Sequence, residues 1–380
     1  MTSVANSAAQ LSYADFVRTG PGTLAGRFMR MFWHPLYRSQ DLPRGRTMPI
    51  KIMGEEFTLY RGEGGTAHVL AQRCAHRRTQ LSVGWVEGDC IRCFYHGWKY
   101  DGSGQCVEQP AEEASFAANI RIRSYPTEEY LGLIFAYLGE GAPPSLPRFP
   151  ELEEEGVLEN HTFVSACNFF RHLELDPAHI AFVHRDSPEA ESGLTGIPDV
   201  ECQETDYGFV FYARRDDKVQ VQHRLMPNAS YFKVFPMDEE SGWRDRVAWR
   251  VPVDDDHYVS FIADLVHVTG EAARRYKERH CESTPPSGPS IPELVEAVLA
   301  GKLRVDQVKN LGAKVVFFQD DVALLAQGSI HNQRPEKLGA ADSLVTLQRK
   351  LWMRELSDLA EGRPLKQWNR PARLVATTGV

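Results

Sequence analysis

The stretch that most constrains this chain runs from Cys74 to His96, CAHRRTQLSVGWVEGDCIRCFYH. It carries Cys74-x-His76, a gap of sixteen residues, then Cys93-x-x-His96. Two thiols and two imidazoles arrive as two short hooks on two loops. Thiolate sulfur suits iron–sulfur clusters, and imidazole suits iron or zinc. A [2Fe–2S] cluster with two cysteines on one iron and two histidines on the other fits hooks that each offer one of each. A second ligand set is open to the same residues. Cys90 and Cys93 form a C-x-x-C, so Cys90, Cys93, Cys74 and a histidine could hold structural zinc.

A chain of 380 residues is long enough for two domains with cores of their own. The net charge of −8, with no basic stripe, argues against a nucleic-acid partner. The seven cysteines are an odd number and do not space like a disulfide framework. Reduced thiols and a thiolate-held cluster point to a cytoplasmic setting. The start, MTSVANSAAQ, lacks the basic and apolar runs of a signal peptide and reads as disordered. Apolar runs such as Leu131–Leu138 are too short to span a bilayer, so no membrane association is expected.

Along the chain, Ser12 to Trp33 has Gly-Pro-Gly at its middle and leaves room for two short helices at most. From Pro35 to Leu138 short alternating runs are separated by glycine-rich turns, the pattern of a small β-sandwich. The proline- and glycine-rich Gly139–Pro147 reads as a boundary, giving units 1–150 and 151–380. In the second unit, strands are expected over Gly208–Arg214, Ala229–Phe235, Val247–Val253 and His257–Val268. Helices are expected over Glu271–Glu282, Ile291–Leu303, Phe317–Ala326 and Ser343–Leu359, with Ser283–Pro289 as a loop. There is no G-x-G-x-x-G fingerprint and no P-loop, so a flavin or nicotinamide reductase must be a separate protein.

A second metal signal is Asp176-Pro-Ala-His179-Ile-Ala-Phe-Val-His184. Non-haem Fe(II) oxygenases use two histidines and one carboxylate on one face of the metal. Five residues turn about 140° on a regular α-helix, so His179 and His184 would diverge. Their joint use requires an irregular helix, with a π-turn or bend and with Pro177 in its first turn. Without a metal, both would be ordinary surface or capping histidines. The third ligand must come from a distant carboxylate, and Phe318-Gln-Asp320-Asp321 offers two. Arg224 could meet a substrate carboxylate or be an exposed strand charge; otherwise substrate-binding residues are unmarked.

The surroundings of the hooks, Cys-Ala-His-Arg-Arg, Phe-Tyr-His-Gly-Trp-Lys-Tyr and Asp-Gly-Ser-Gly, resemble the Rieske domain of ring-hydroxylating oxygenases. Together with Asp176, His179 and His184, the pattern resembles the catalytic (alpha) subunit of Rieske non-haem iron oxygenases from Ser12 to Leu351. Gln319-Asp320-Asp321…Gln327-Gly328, then His331-Asn-Gln-Arg334-Pro-Glu336, resembles the C-terminal signature of the phthalate-dioxygenase-like subgroup.

The resemblance implies an α+β chain: an all-β Rieske domain in 1–150 and, in 151–380, a helix-grip-like catalytic domain of antiparallel sheet plus helices. It implies that Cys74 and Cys93 hold one cluster iron and His76 and His96 the other, with Cys90 spare. His179, His184 and Asp320 would hold a mononuclear Fe(II), Asp320 being preferred to Asp321 by its spacing to Gln327-Gly328. Asp176 would hydrogen-bond an iron ligand and bridge to a neighbouring subunit's cluster histidine in a homotrimer or trimer-based oligomer. Just before Asp176, Arg171-His172-Leu173-Glu174 departs from the family pattern and looks shortened. The implied activity is that of a terminal oxygenase, fed by an NAD(P)H-dependent reductase with or without a ferredoxin. It would use O2 to hydroxylate an aromatic small molecule, with or without a carboxylate. O- or N-demethylation is the rival outcome. A plain Rieske electron carrier and a zinc-stapled binding module are the rivals from other classes.

Overall fold

The computed structural model describes residues 11–185, 196–216, 218–234, 236, 240–280, 288–330 and 336–376. The expected disorder of 1–10, the Ser283–Ser287 part of the loop and His331 lie outside these residues. Two short helices, Tyr13–Val17 and Leu24–Met29, open the chain as expected. Eleven short strands follow: β1 Trp33–Arg38, β2 Thr47–Ile52, β3 Glu55–Arg61, β4 Ala67–Ala71, β5 Trp85–Glu87, β6 Cys90–Arg92, β7 Lys99–Tyr100, β8 Cys106–Glu108, β9 Ser124–Tyr125, β10 Thr127–Tyr130 and β11 Leu133–Tyr137. They pair into three sheets, β1-β11-β10, β2-β3-β4-β9 and β5-β6-β7-β8. The β2–β3 hairpin turns on Met53 (φ 50°) and Gly54 (φ 72°), the two positive φ values of a two-residue turn that follows strand twist.

The remaining strands are β12 Val157–Ser165, β13 Asp199–Glu204, β14 Gly208–Arg215, β15 Lys218–Leu225, β16 Ala229–Val234, β17 Arg244–Pro252 and β18 Tyr258–Val266. They form one antiparallel sheet of order β12-β18-β17-β16-β15-β14-β13. β13 to β18 is a meander, and β12 closes on its last strand. Because side chains alternate along each strand, the sheet has two unlike faces. One carries Tyr231, Val247, Trp249 and Val251. There Trp249 meets Phe135 of β11 edge-on at 5.4 Å, so one hydrophobic core runs from the first helices through both units. The β2–β3 hairpin tip docks on the same sheet, where Met53 N–H donates to the Pro252 carbonyl (2.8 Å) and Gly54 N–H to that of Val253 (2.8 Å). The opposite face is covered by the segments that carry His172, His179, His184 and Asp320.

Helices follow at Gly270–His280, Ile291–Leu299, Val315–Leu325 and Ser343–Ala360. The Ile291 helix is four residues shorter than its apolar spacing suggests. Ser290 and Glu293 form its capping box, and Gly301 (φ 71°) lets Lys302 N–H turn back to the Ala297 carbonyl, which ends it. The architecture is α+β, an all-β N-terminal unit followed by an antiparallel sheet with helices. Among the described residues no helix is long and apolar enough to cross a membrane.

Candidate metal centres

The two hooks are built alike. In the first, Arg78 N–H closes on the Cys74 carbonyl (3.0 Å) and Cys74 N–H on that of Thr79 (2.9 Å). In the second, Gly97 N–H closes on the Cys93 carbonyl (3.1 Å) and Cys93 N–H on that of Trp98 (2.8 Å). Each loop therefore turns four residues after its cysteine, at positive φ: 63° for Arg78 and 74° for Gly97. Both cysteines are buried, at 1% and 2% exposure, while His76 is exposed and His96 half-exposed. The imidazole rings lie 4.4 Å apart, and His76 stacks on Trp98 at 4.7 Å.

The hydroxyl of Tyr100 accepts Ala75 N–H at 3.1 Å and so donates its own proton to Cys74 Sγ at 3.2 Å. The hydrogen bond from Cys93 and then that from Tyr100 outweigh burial and hold the Cys74 thiol down to about 6. Two buried cysteine sulfurs, with two imidazoles at the outer rim, are a donor set that fits a [2Fe–2S] cluster. Cys90 sits on β6 and pairs opposite Glu87 in the sheet. No spacing in the sequence marks Tyr100 as a partner of Cys74. Its signal was its place in Phe-Tyr-His-Gly-Trp-Lys-Tyr, one strand beyond the second hook.

The second centre starts at Asp176, whose carboxylate caps the chain by accepting Ala178 N–H at 2.7 Å. Pro177–His179 is a 3-10 turn that runs directly into an α-helical turn, Ile180–Val183. His184 is the last cap residue, at φ −104° and ψ 16°. The expected irregularity is present, but as a tight 3-10 entry and a non-helical exit rather than a π-turn. Its effect is to bring His179 Nε2 within 3.2 Å of His184 Nε2. Asp320, on the Val315–Leu325 helix, completes the group, with Oδ1 3.0 Å from His184 Nε2 and 3.5 Å from His179 Nε2.

Asp320 Oδ1 is buried and has no hydrogen-bond partner of proper geometry among the described residues. Burial opposes its charge, yet the two imidazoles hold its carboxyl well below the ordinary range. Two imidazoles and an orphaned carboxylate oxygen converging on one point fit a mononuclear iron with open positions. Asp321 points elsewhere and accepts the Ser165 hydroxyl at 2.6 Å. Burial first, and the charge of Asp320 after it, push its carboxyl up to about 6.

The outer supports differ from expectation. His179 Nδ1 bonds the backbone carbonyl of Asp176, not its carboxylate, because that carboxylate is engaged as the helix cap. His184 Nδ1 is held by Gln319 Oε1 at 2.9 Å, a partner that sequence reading passed over although it precedes Asp320 directly. His172 is buried against the Tyr258 hydroxyl at 2.8 Å, and burial keeps it neutral. Arg224 is not an exposed strand charge. It is 8% exposed, on the sheet face beneath the centre. In a further group of Glu159, His161 and Asp264 the carboxylates already face cations: Asp264 takes Arg246 at 2.7 Å and Arg244 at 3.2 Å, and Arg244 lies 3.8 Å from Glu159.

An all-β unit with two Cys–His hooks, followed by a sheet whose covering helices carry a two-histidine, one-carboxylate group, defines a class: an oxygenase subunit with a Rieske domain. Residues 32–126 match the family model of the Rieske [2Fe-2S] domain. The chain is 31% identical over 280 residues to the phenoxybenzoate dioxygenase subunit alpha of Ectopseudomonas oleovorans, covering 66% of this chain and 68% of that one. It is 29% identical over 369 residues to the 5,5'-dehydrodivanillate O-demethylase oxygenase subunit of Sphingobium sp., covering 92% and 80%. Among solved structures, dicamba monooxygenase bound to dicamba shares the fold, with a TM-score of 0.62 at 19% identity over 89% of this chain and 100% of that one. The chain belongs to the catalytic, alpha subunits of the Rieske non-haem iron oxygenases. It is a terminal oxygenase component, using O2 and electrons supplied by separate proteins, with one [2Fe–2S] cluster and one mononuclear iron as its cofactors.

Proposed function

We propose that the chain hydroxylates an aromatic small molecule at the point where His179, His184 and Asp320 converge. The observation that carries this reading is the approach of His179 Nε2, His184 Nε2 and Asp320 Oδ1 to within 3.5 Å of one another. When bound, the mononuclear iron supplies O2 activation and the cluster relays electrons to it. The protein's part is to position. Cys74 and Cys93 would hold one cluster iron, and His76 and His96 the other. His179, His184 and Asp320 would hold the mononuclear iron, while Gln319 and the Asp176 carbonyl fix the two imidazole planes. Asp176, half-buried, would meet a cluster histidine of a neighbouring copy in a trimer. Residues 1–150 then form the electron-accepting unit and 151–380 the oxygenating one. Electrons come from an NAD(P)H-dependent reductase, with or without a ferredoxin, in the cytoplasm.

O-demethylation is the second reading, favoured by the O-demethylase subunit that aligns with 92% of this chain. Both are tested by measuring substrate-dependent O2 uptake with a reductase across methoxylated and unsubstituted aromatic compounds, and weighing the products. Gain of one or two oxygens marks hydroxylation, and loss of a methyl group marks demethylation. A cluster-replete protein that consumes no O2 with any of them would be an electron carrier instead.

A further inference from the structure

The Val315–Leu325 helix has two unlike sides. At about 100° per residue, Asp321 and Leu324 turn to the interior, and both are buried. Val315, Gln319, Val322 and Ala323 share the opposite side, which lines a cavity of about 640 Å³. The other walls include Val183, next to His184, and Val308 and Leu311 of the segment before the helix. That segment changes direction at Asn310 (φ 66°) and Gly312 (φ 54°), just before Val315. The volume is that of a small-molecule site.

Gln319 joins this cavity to the mononuclear centre. It lines the cavity, and its Oε1 lies 2.9 Å from His184 Nδ1. When His184 Nε2 binds a metal, Nδ1 carries the ring proton, so Gln319 must present its carbonyl oxygen and turn its NH2 group away from the ring. The bond with His184 is the only hydrogen bond of the Gln319 side chain among the described residues. The two amide N–H donors are therefore left to the cavity. Holding an imidazole does not in itself require such an arrangement, since on His179 a backbone carbonyl does the same work. The charged side chains of the cavity, Arg304, Asp306 and Lys309 among them, are exposed at its rim. An apolar floor with one amide donor group complements a hydrogen-bond acceptor on an uncharged apolar body. An ion seated there would lose hydration without gaining a counter-charge.

We propose that this cavity is a second ligand site, for an uncharged small molecule with a carbonyl or ether oxygen, coupled to the mononuclear centre through Gln319 and His184. A metal on Nε2 makes Nδ1–H a stronger donor, which polarises the amide and strengthens its N–H bonds to the occupant. By linkage the occupant tightens metal binding by the same factor. Gln319 is a positioning residue in this scheme. The proposal rests on His184 as a metal ligand and is independent of which compound is oxygenated.

Acetophenone and ethylbenzene, alike in shape but differing by one carbonyl, are the probes. Each is titrated calorimetrically into cluster-replete protein, with the mononuclear metal loaded and after its removal by a chelator. Acetophenone should bind about tenfold more tightly than ethylbenzene, the equivalent of one hydrogen bond. It should also bind about threefold more tightly to the metal-loaded form. Gln319→Glu keeps an oxygen for His184 and loses both donors, so the ketone preference should vanish while metal analysis shows the iron retained. Ala323→Trp fills the cavity from the side away from His184, and should weaken acetophenone binding at least about tenfold with metal content unchanged. If one variant does not fold, the other and the parent protein decide. Equal binding of the two probes, or no binding of either, would overturn the proposal. So would a ketone preference kept in Gln319→Glu, affinity kept in Ala323→Trp, or equal affinity with and without the metal.

Discussion

Asp320 and Asp321 are neighbours on one helix, and the fold treats them in opposite ways. A helix turns about 100° per residue, so adjacent carboxylates cannot share one centre. Asp320 turns to His179 and His184, and Asp321 to Ser165. Asp320→Ala is expected to lower iron content by about one atom per chain with cluster absorbance unchanged. Asp321→Ala should keep that iron and cost about 1–2 kcal/mol of stability, because it strands the buried Ser165 hydroxyl. Metal analysis of both variants checks this, and reversed results would exchange their roles. Tyr100→Phe removes the hydrogen bond to Cys74 Sγ, which favours the more negative, reduced cluster. The midpoint potential should drop by roughly 50 mV, the equivalent of about 1 kcal/mol for one electron, as read by a redox titration. At this scale the hooks were legible because their ligands sit close together in sequence. Tyr100 and Gln319 were not, because each acts on a residue from another element, and no local spacing records such contacts.

At the scale of elements, alternation located strands β14, β16, β17 and β18 to within a few residues, since each has one face on a core. The helix around His179 was legible as irregular, but not in kind. Five-residue spacing demands some departure from 3.6 residues per turn, and the Asp176 cap followed by Pro177 selects a tight 3-10 entry over a π-bulge. The turn Asp254–His257 joins β17 to β18 and carries a testable charge effect. The Asp254 carboxylate accepts Asp256 N–H (3.1 Å), His257 N–H (2.9 Å) and Lys51 Nζ (2.9 Å). Burial opposes its charge, but Lys51, the His257 imidazole (Nδ1 at 2.9 Å) and the Asp256 N–H hold it down to about 2, from an ordinary 3.8. A depressed carboxylate stabilises the folded state above the unfolded pKa, and that stability is lost as pH falls through the folded one. Asp254→Ala should therefore cost on the order of 1–2 kcal/mol near neutral pH, after allowing for solvent screening. The difference in urea midpoint from the parent should shrink between about pH 4 and pH 2. A pH-independent difference would assign the effect to backbone bonding alone.

For the whole molecule, the two metal centres present themselves unequally. His76 and His96 sit at an outer rim, beside Trp85, Phe94 and Tyr95, which are 51%, 59% and 54% exposed. His184 and Asp320 are buried, at 1% and 9%. Large exposed aromatic side chains grouped on one side of a chain mark a contact surface. An outer cluster rim is placed to meet another molecule, whereas the iron group waits behind Asp176 at a half-buried edge. If the rim of one copy meets the Asp176 edge of the next in a ring, each electron crosses between chains. The hypothesis has a direct test in mixed assemblies. His96→Ala chains should lack the cluster and His179→Ala chains the mononuclear iron, and each should be inactive alone. Co-assembled from equal amounts, they should regain substrate-dependent O2 uptake, because some interfaces then set an intact cluster beside an intact iron. Adding Asp176→Asn to the iron-competent chains removes one acceptor and the charge while keeping the size. It should abolish that recovery by about a hundredfold, with both metal contents unchanged. Well-formed mixed assemblies that stay inactive would mean that electrons travel within one chain, and Asp176 would then be a helix cap and no more.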